Sequence, residues 1–207
     1  MAQAERRQEE QTKTETLALQ AIPRKTGDVS SLIKTVDSIS NYMSGKTIPV
    51  TVKIGNAKIA EGIGSQLIGT YPDKFITSVT KSGDLRIFNA NAASDEIASR
   101  IAKNGQATRN IGNRQEAIGV ADRLKDRGYV TSVTKEGFLR ALDVKLTSRQ
   151  AIRSIDAQTM TGNIDVGTRQ EAKAVSDYLN TEYNGQYTAS ANDNGSVDIT
   201  RITMAKK

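Results

Sequence analysis

The feature that most constrains this chain is an internal repeat. The pentapeptide TSVTK occupies residues 77–81 and returns at residues 131–135, 54 positions later. The two copies continue as SGDLRIF and EGFLRAL, so a glycine, a leucine and an arginine recur at the same offset. Self-similarity at a fixed period of this length is typical of a chain built from repeated supersecondary units.

The repeat extends outward and includes a third copy. IGN at 54–56 returns at 111–113, RQEA at 114–117 returns at 169–172, and a third hairpin-like stretch, YTASANDNGSVDITRI, follows. Three related units therefore begin near Ile48, Ala107 and Thr161. We divide the chain into an N-terminal arm and helix (1–47), repeat 1 (48–106), repeat 2 (107–160) and repeat 3 (161–207).

Each repeat predicts the same elements. A short alternating strand precedes a helix with Asn56, Asn113 or Thr168 at its N-cap, and a hairpin with a glycine in its turn follows. The first two repeats add a second helix, with Ser94 and Ser148 as its expected starts, which repeat 3 lacks. The predicted fold is α+β: three tandem βαββ(α) repeats forming ferredoxin-like, split βαβ sheets with helices on one face, preceded by an N-terminal helical arm.

The segment before the first repeat predicts one amphipathic helix. Residues 1–20 are charged and rich in Gln, and they are compatible with a solvated helix or an arm. Apolar residues then recur at helical spacing: Val29, Leu32, Ile33, Val36 and Met43. This stripe either covers the first repeat or forms an interface with a neighbouring subunit, and the sequence favours neither reading.

Composition excludes several kinds of active site. The chain contains no Cys and no His, which excludes the usual zinc sites and histidine-assisted nucleophiles. Asp122, Asp143 and Asp177 form no convergent pair, and Glu116 and Glu171 are expected to cap helices. The glycines of EGIGSQLIG lack phosphate-loop spacing and are expected to allow close helix–sheet packing. We therefore predict a protein that is not an enzyme, with no catalytic, cofactor or metal site.

Cations on the first two hairpins are candidate contacts for a polyanion. They are Lys81, Arg86, Lys135 and Arg140, and repeat 3 has Asp193 and Asp198 instead of a basic pair. The net charge is +6, but the charges are interspersed and aromatic residues make up only 4%. A solvated strand face is favoured over a nucleic-acid site, because single-stranded nucleic acid is bound by cations together with stacking aromatics.

The middle repeat resembles the SPOR family of peptidoglycan-binding domains. The residues that match its pattern are Ile111, Gly112, Asn113, Ala117, Leu124, Gly128, Tyr129, Ser148, Arg149 and Ala151. The match covers about 50 of 207 residues, and the copies on either side lack Gly-Tyr. The resemblance implies a ferredoxin-like topology, and it makes glycan a candidate ligand.

In general character the chain resembles bacteriophage virion components. It is free of cysteine, rich in Thr, Ser, Asn, Ala and Ile, and built of small repeats behind a polar arm. The resemblance implies a structural protein of a head, neck or tail, with other copies of itself or other structural subunits as partners. The alternative is a module that binds glycan or nucleic acid through its repeated sheets. The N-terminus has no signal-peptide pattern and no run is long enough to cross a membrane, so we expect synthesis in the cytoplasm and, under the leading reading, assembly into a virion.

Overall fold

A computed structural model describes residues 15–17, 29–156 and 160–202. Its helices are α1 Val29–Tyr42, α2 Ala57–Thr70, α3 Ala90–Asn104, α4 Arg114–Asp126, α5 Val144–Asp156 and α6 Arg169–Glu182. Its strands are β1 Glu15–Leu17, β2 Val50–Val52, β3 Phe75–Val79, β4 Leu85–Asn89, β5 Gln106–Asn110, β6 Val130–Val133, β7 Phe138–Leu142, β8 Thr161–Asp165, β9 Tyr187–Ala191 and β10 Ser196–Arg201.

The strands form three small sheets, one for each repeat, and the first sheet also contains β1 of the N-terminal arm. Their orders are β1-β2-β4-β3, β5-β7-β6 and β8-β10-β9. In the first sheet β2 and β3 both run antiparallel to β4, which lies between them, and the third sheet repeats this arrangement. The predicted α+β class and the split βαβ sheets are thereby confirmed.

The element order shows three complete αβαββ modules where the sequence suggested two full repeats and a shortened third. The modules are α1-β2-α2-β3-β4, α3-β5-α4-β6-β7 and α5-β8-α6-β9-β10. The helix before repeat 1 therefore corresponds to the helices that were assigned to the ends of repeats 1 and 2. Repeat 3 is complete because its second helix comes before its first strand.

Contacts divide the chain into two compact units that cut across the middle repeat. The first contains Met1–Glu96, Asn110–Arg123 and Val133–Phe138, and the second contains Ile97–Arg109, Leu124–Ser132 and Leu139–Lys207.

The core of the first unit lies between its first two helices and one face of its sheet. α1 contributes Val36 and Ile39, Met43 follows directly after α1, and α2 contributes Ile63 and Leu67. These residues pack with buried residues of β2, β3 and β4. Gly64 allows the close approach, because a Cβ at this position would lie 3.1 Å from both Leu85 Cδ1 and Thr77 Oγ1. The predicted close helix–sheet packing is therefore confirmed for Gly64, whereas a Cβ at Gly62 or Gly69 would have no neighbour within 4 Å.

The opposite face of the first sheet is covered as well. Ile76 and Phe88 are in register on this face, and Gly119 of α4 lies directly against the Ile76 side chain. The expectation of helices on one face therefore holds for α1 and α2, the helices of the first module. The first part of α4, which belongs to the next module, covers the other face.

The second unit repeats the core arrangement with α5 and α6. Ile152 and Ile155 of α5 and Val175 and Leu179 of α6 pack with Val197, Ile199 and other buried residues of the third sheet. In both units a helix pair therefore buries one face of a sheet.

The hairpin turns follow the expected rule for glycine. Gly83, Gly137 and Gly195 have φ values of +77°, +84° and +86°, a region that side chains disfavour. The carbonyl of each glycine accepts a hydrogen bond from the turn before the helix of its module, from Asn56, Ile111 and Val166 respectively. Each hairpin is thus joined to the start of its helix.

Most predicted N-caps are confirmed, but the starts of the second helices are not Ser94 and Ser148. Asn89 Oδ1 accepts from Ala92 N, and Asp143 Oδ1 accepts from Leu146 N, so α3 and α5 begin about one turn earlier. Both serines lie inside these helices and are fully buried. Asn or Asp at the end of a strand can serve as the N-cap of the helix that follows. Asn89 and Asp143 do so here, and neither was predicted.

The N-terminal arm contributes a strand to the first sheet. Glu15–Leu17 pairs in parallel with β2, with Thr16 opposite Thr51. A helical arm is therefore wrong for these three residues, and residues 1–14 lie outside the described part of the chain. Among the described residues, no helix is long and apolar enough to cross a membrane.

Candidate interaction site

Arg86 lies in the middle strand of the first sheet, on the face opposite the core. It is in register with Thr51 and Ser78. Its guanidinium donates to both carboxylate oxygens of Glu116 at the start of α4, at 2.7 Å and 3.0 Å. The Arg86 side chain is 21% exposed and the Glu116 side chain is 4% exposed. A bidentate pair of this kind is geometrically specific, so it fixes the position of α4 over the sheet.

Arg140, the equivalent residue in β7, makes the corresponding contact in the second unit. Its Nε lies 3.3 Å from Glu171 Oε2, and the Glu171 side chain is only 1% exposed. Its Nη2 also donates to the Val166 carbonyl at 3.0 Å. Glu171 completes a capping box with Thr168, so one carboxylate both caps α6 and contacts the preceding sheet.

The third module has Asp198 where the first two have arginine. Hydrogen bonds from the amides of Asn163 and Asn192 hold the pKa of Asp198 below its usual value. The residues in register around Asp198 are Asn163 and Ser190, and its neighbour Thr200 faces Thr161 and Thr188. This face of the third sheet therefore has the polar pair Thr188 and Thr200 where the first sheet has the apolar pair Ile76 and Phe88.

The predicted polyanion contacts fall into two pairs. Lys81 and Lys135 are exposed at the tips of the hairpins, whereas Arg86 and Arg140 contact carboxylates. The two arginine side chains are only 21% and 33% exposed, and each contacts a glutamate at the start of a helix, so the expectation of a solvated strand face does not hold for them. The structure therefore leaves only the two lysines of this set on exposed turns.

The predicted interface stripe on α1 is mostly internal. Val36 and Met43 are buried in the core of the first unit, and Leu32 packs against that core. Ile33 is 47% exposed, and the side chain of Val29 lies outside the described set. The reading in which this helix covers the first repeat accounts for Leu32, Val36 and Met43, which leaves Ile33 as a candidate contact with a partner.

Sequence reasoning missed the pairing of Glu116 with Arg86 and of Glu171 with Arg140, although the sequence carries a signal for it. Each arginine is followed about 30 residues later by its glutamate in the next module. The first module has Ile59 at the glutamate position, and the third has Asp198 at the arginine position. A glutamate is therefore present only in modules that follow an arginine.

Strand edges form a second kind of candidate surface. β2 has β1 along its outer edge, whereas β5 and β8, its equivalents, are terminal strands among the residues described. Exposed backbone at such an edge can pair with a further strand. The described residues include no group of three or more acidic side chains arranged to hold a metal ion.

Comparison of this chain with known protein families, curated proteins and solved structures gives no match.

Proposed function

We propose that this protein is a structural subunit that assembles with other copies of itself into a multi-subunit particle, and that the particle is a bacteriophage head, neck or tail. The observation that carries the proposal is the parallel pairing of Glu15–Leu17 with the edge of the first sheet. Pairing of this kind uses backbone groups, so a short arm can join subunits without a large apolar interface.

Two further features support assembly. Terminal strands β5 and β8 offer backbone groups to another strand, and Ile33, Tyr42 and Ile68 are large apolar side chains exposed in the first unit. The phage assignment depends on sequence character alone: a cysteine-free chain of small α+β repeats behind a polar arm.

The test is the mass of the protein by light scattering across a size-exclusion peak, over a range of concentrations. We expect a discrete oligomer for the full chain and loss of that oligomer for residues 29–207. The shortened chain keeps α1, since removal of residues 1–47 would also remove Val36, Ile39 and Met43 from the core. A monomer for the full chain at every concentration would refute self-assembly.

Absorbance at 260 and 280 nm on the same peak tests the main alternative. The chain has no Trp and six Tyr, so bound nucleic acid would raise the ratio plainly. We expect the ratio of a nucleic-acid-free protein. Retention on DNA that falls steeply with salt would favour the binding-module reading instead.

A further inference from the structure

We infer that the outer edge of β8 is the docking site for the N-terminal strand of a second copy of this chain. The inference depends on the self-assembly proposed above and names the surface that performs it. The occupant is the segment Glu15–Leu17, which already pairs with the equivalent edge in its own chain.

The first step is the equivalence of the edges. β2, β5 and β8 hold the same place in their modules, each next to the middle strand of its sheet. Thr51 lies opposite Arg86 of β4, and Asn163 lies opposite Asp198 of β10. Thr51 and Asn163 therefore hold corresponding positions, and Thr16 is the residue opposite Thr51.

The backbone groups of β8 point alternately toward β10 and away from it. Arg201 N donates to Met160 O and Val166 N donates to Gly195 O, so these positions form hydrogen-bonded pairs with β10. Hydrogen-bonded and non-hydrogen-bonded pairs alternate along an antiparallel ladder. The backbone N–H of Asn163 therefore points away from β10. It is available to a strand that arrives on the outer side, where no strand of the described residues lies.

The third step distinguishes β8 from β5. Leu17 is in register with Val52, and the corresponding residues are Ile164 in β8 and Arg109 in β5. An arm in the same register would place Leu17 beside an apolar residue in β8 and beside a charged one in β5. Apolar cross-strand neighbours stabilise a sheet by packing against each other, so β8 is the better acceptor.

The β2 edge of the same chain and the β8 edge of a second copy compete for the N-terminal strand. Each chain has one arm, and pairing in its own sheet is favoured at low concentration because the arm is tethered. In the described part of the chain the paired segment is three residues long, so few backbone hydrogen bonds oppose its exchange. Transfer of the arm to β8 of another copy joins unlike surfaces, which produces a ring or an open chain of subunits.

The decisive experiment locks the arm in its own sheet. The chain has no Cys, so the double variant Thr16→Cys/Thr51→Cys introduces one possible disulfide. Strand neighbours lie about 5 Å apart, within the range for a disulfide. We expect the oxidised variant to remain monomeric and the reduced variant to form the oligomer. An oligomer that persists after oxidation would overturn the inference and leave self-assembly through another surface intact.

A second experiment locates the acceptor edge. The single variants Thr16→Cys and Asn163→Cys are mixed, oxidised and digested, and the cross-linked peptides are quantified by mass spectrometry. Thr108→Cys, the equivalent position in β5, replaces Asn163→Cys in the control. We expect several times more cross-link to position 163 than to position 108. Equal yields, or a preference for 108, would overturn the assignment to β8. Light scattering on the full chain reports on self-assembly independently, so failure of this inference is distinguishable from failure of the proposed function.

Discussion

At the scale of single residues, two arginines decide how helices meet sheets. Arg86 and Arg140 each occupy the middle strand of a sheet and contact a nearly buried glutamate at the start of a later helix. Removal of water from such a pair costs free energy that the pairing must offset. We therefore expect the pairs to contribute more to the choice of contact than to net stability.

The Arg86–Glu116 pair gives a direct test of this view. We expect Arg86→Ala to lower the free energy of unfolding by about 3 kcal/mol, because it leaves the Glu116 carboxylate buried without its partner. The double variant Arg86→Met/Glu116→Leu should recover most of the loss. Urea unfolding followed by circular dichroism measures both.

The control for this pair is Lys81→Ala, an exposed cation of the same hairpin. It should change the free energy of unfolding by no more than about 0.5 kcal/mol. A loss for Arg86→Ala that is no larger than for Lys81→Ala would show that the buried pair is not needed.

Asp84 gives a prediction about pH. Its carboxylate accepts hydrogen bonds from the Ile54 and Gly55 amides and from Lys53 and Ser82. The Ile54 amide, followed by Lys53 and Ser82, holds the pKa of Asp84 well below its usual range. A carboxylate whose pKa is lower in the folded state than in the unfolded state stabilises the fold fully at a pH above the unfolded-state pKa of about 3.9. This stabilisation is lost as the pH falls through the folded-state pKa.

We therefore expect Asp84→Asn to lower the melting temperature by several degrees at pH 7. The difference from the unaltered protein should shrink as the pH falls below about 4, where the unfolded carboxylate becomes protonated. Melting curves between neutral and acid pH measure this. Asp193→Asn removes a carboxylate from an exposed hairpin position and is the matched control, which should lower the melting temperature at pH 7 by less than Asp84→Asn does. A difference that stays constant with pH would contradict the assignment.

At the scale of elements, each hairpin turn is held against the start of a helix by a glycine. Gly83 and Gly45 have nearly the same φ, +77° and +75°. A Cβ on Gly83 would lie 2.9 Å from Asn56 N, whereas a Cβ on Gly45 would have no neighbour within 4 Å. The two positions therefore separate the cost of backbone strain from the cost of a collision.

We expect Gly45→Ala to lower the free energy of unfolding by about 1 kcal/mol through strain alone. Gly83→Ala should lower it by at least about 1 kcal/mol more, because the N-cap backbone of α2 must also move. Urea unfolding measures both variants. Equal losses would mean that the contact between the turn and the helix start adjusts freely.

The helix α1 belongs to the core of the first unit, which predicts unequal effects along its stripe. We expect Met43→Ala to lower the free energy of unfolding by about 2–5 kcal/mol, because Met43 is fully buried. Ile33→Ser, at an exposed position of α1, should change the free energy of unfolding by about 0.5 kcal/mol or less. Thermal unfolding compares them, and similar losses would indicate that Ile33 is also covered.

At the scale of the whole molecule, the compact units do not coincide with the sequence repeats. The first unit contains residues 110–123 of the second repeat. A fragment that ends at residue 106 therefore lacks Glu116 and leaves the outer face of the first sheet without its helix. We expect the fragment 29–106 to bind a hydrophobic dye strongly and the full chain to bind it weakly, because the fragment leaves Ile76 and Phe88 uncovered. Equal dye binding would show that the first repeat folds without α4.

The sequence predicts those features that short-range rules determine. The hairpins, their glycines and the caps at Asn56 and Thr168 follow from contacts within a few residues, and they were predicted correctly. The membership of α1 in a repeated module was missed, because its residues share no visible motif with the later helices. The burial of Arg86 was missed for a related reason: it depends on a residue 30 positions away in another module.

The Arg–Glu pattern has a consequence for how such a chain could grow. The middle module carries both a glutamate that contacts the preceding sheet and an arginine that contacts the following helix. A tandem duplication of residues 90–143 would therefore supply each added arginine with a glutamate in one step. The first and third modules lack this property, since each carries only one of the two charges. Duplication of an outer module would instead leave one arginine or one glutamate without its counterpart.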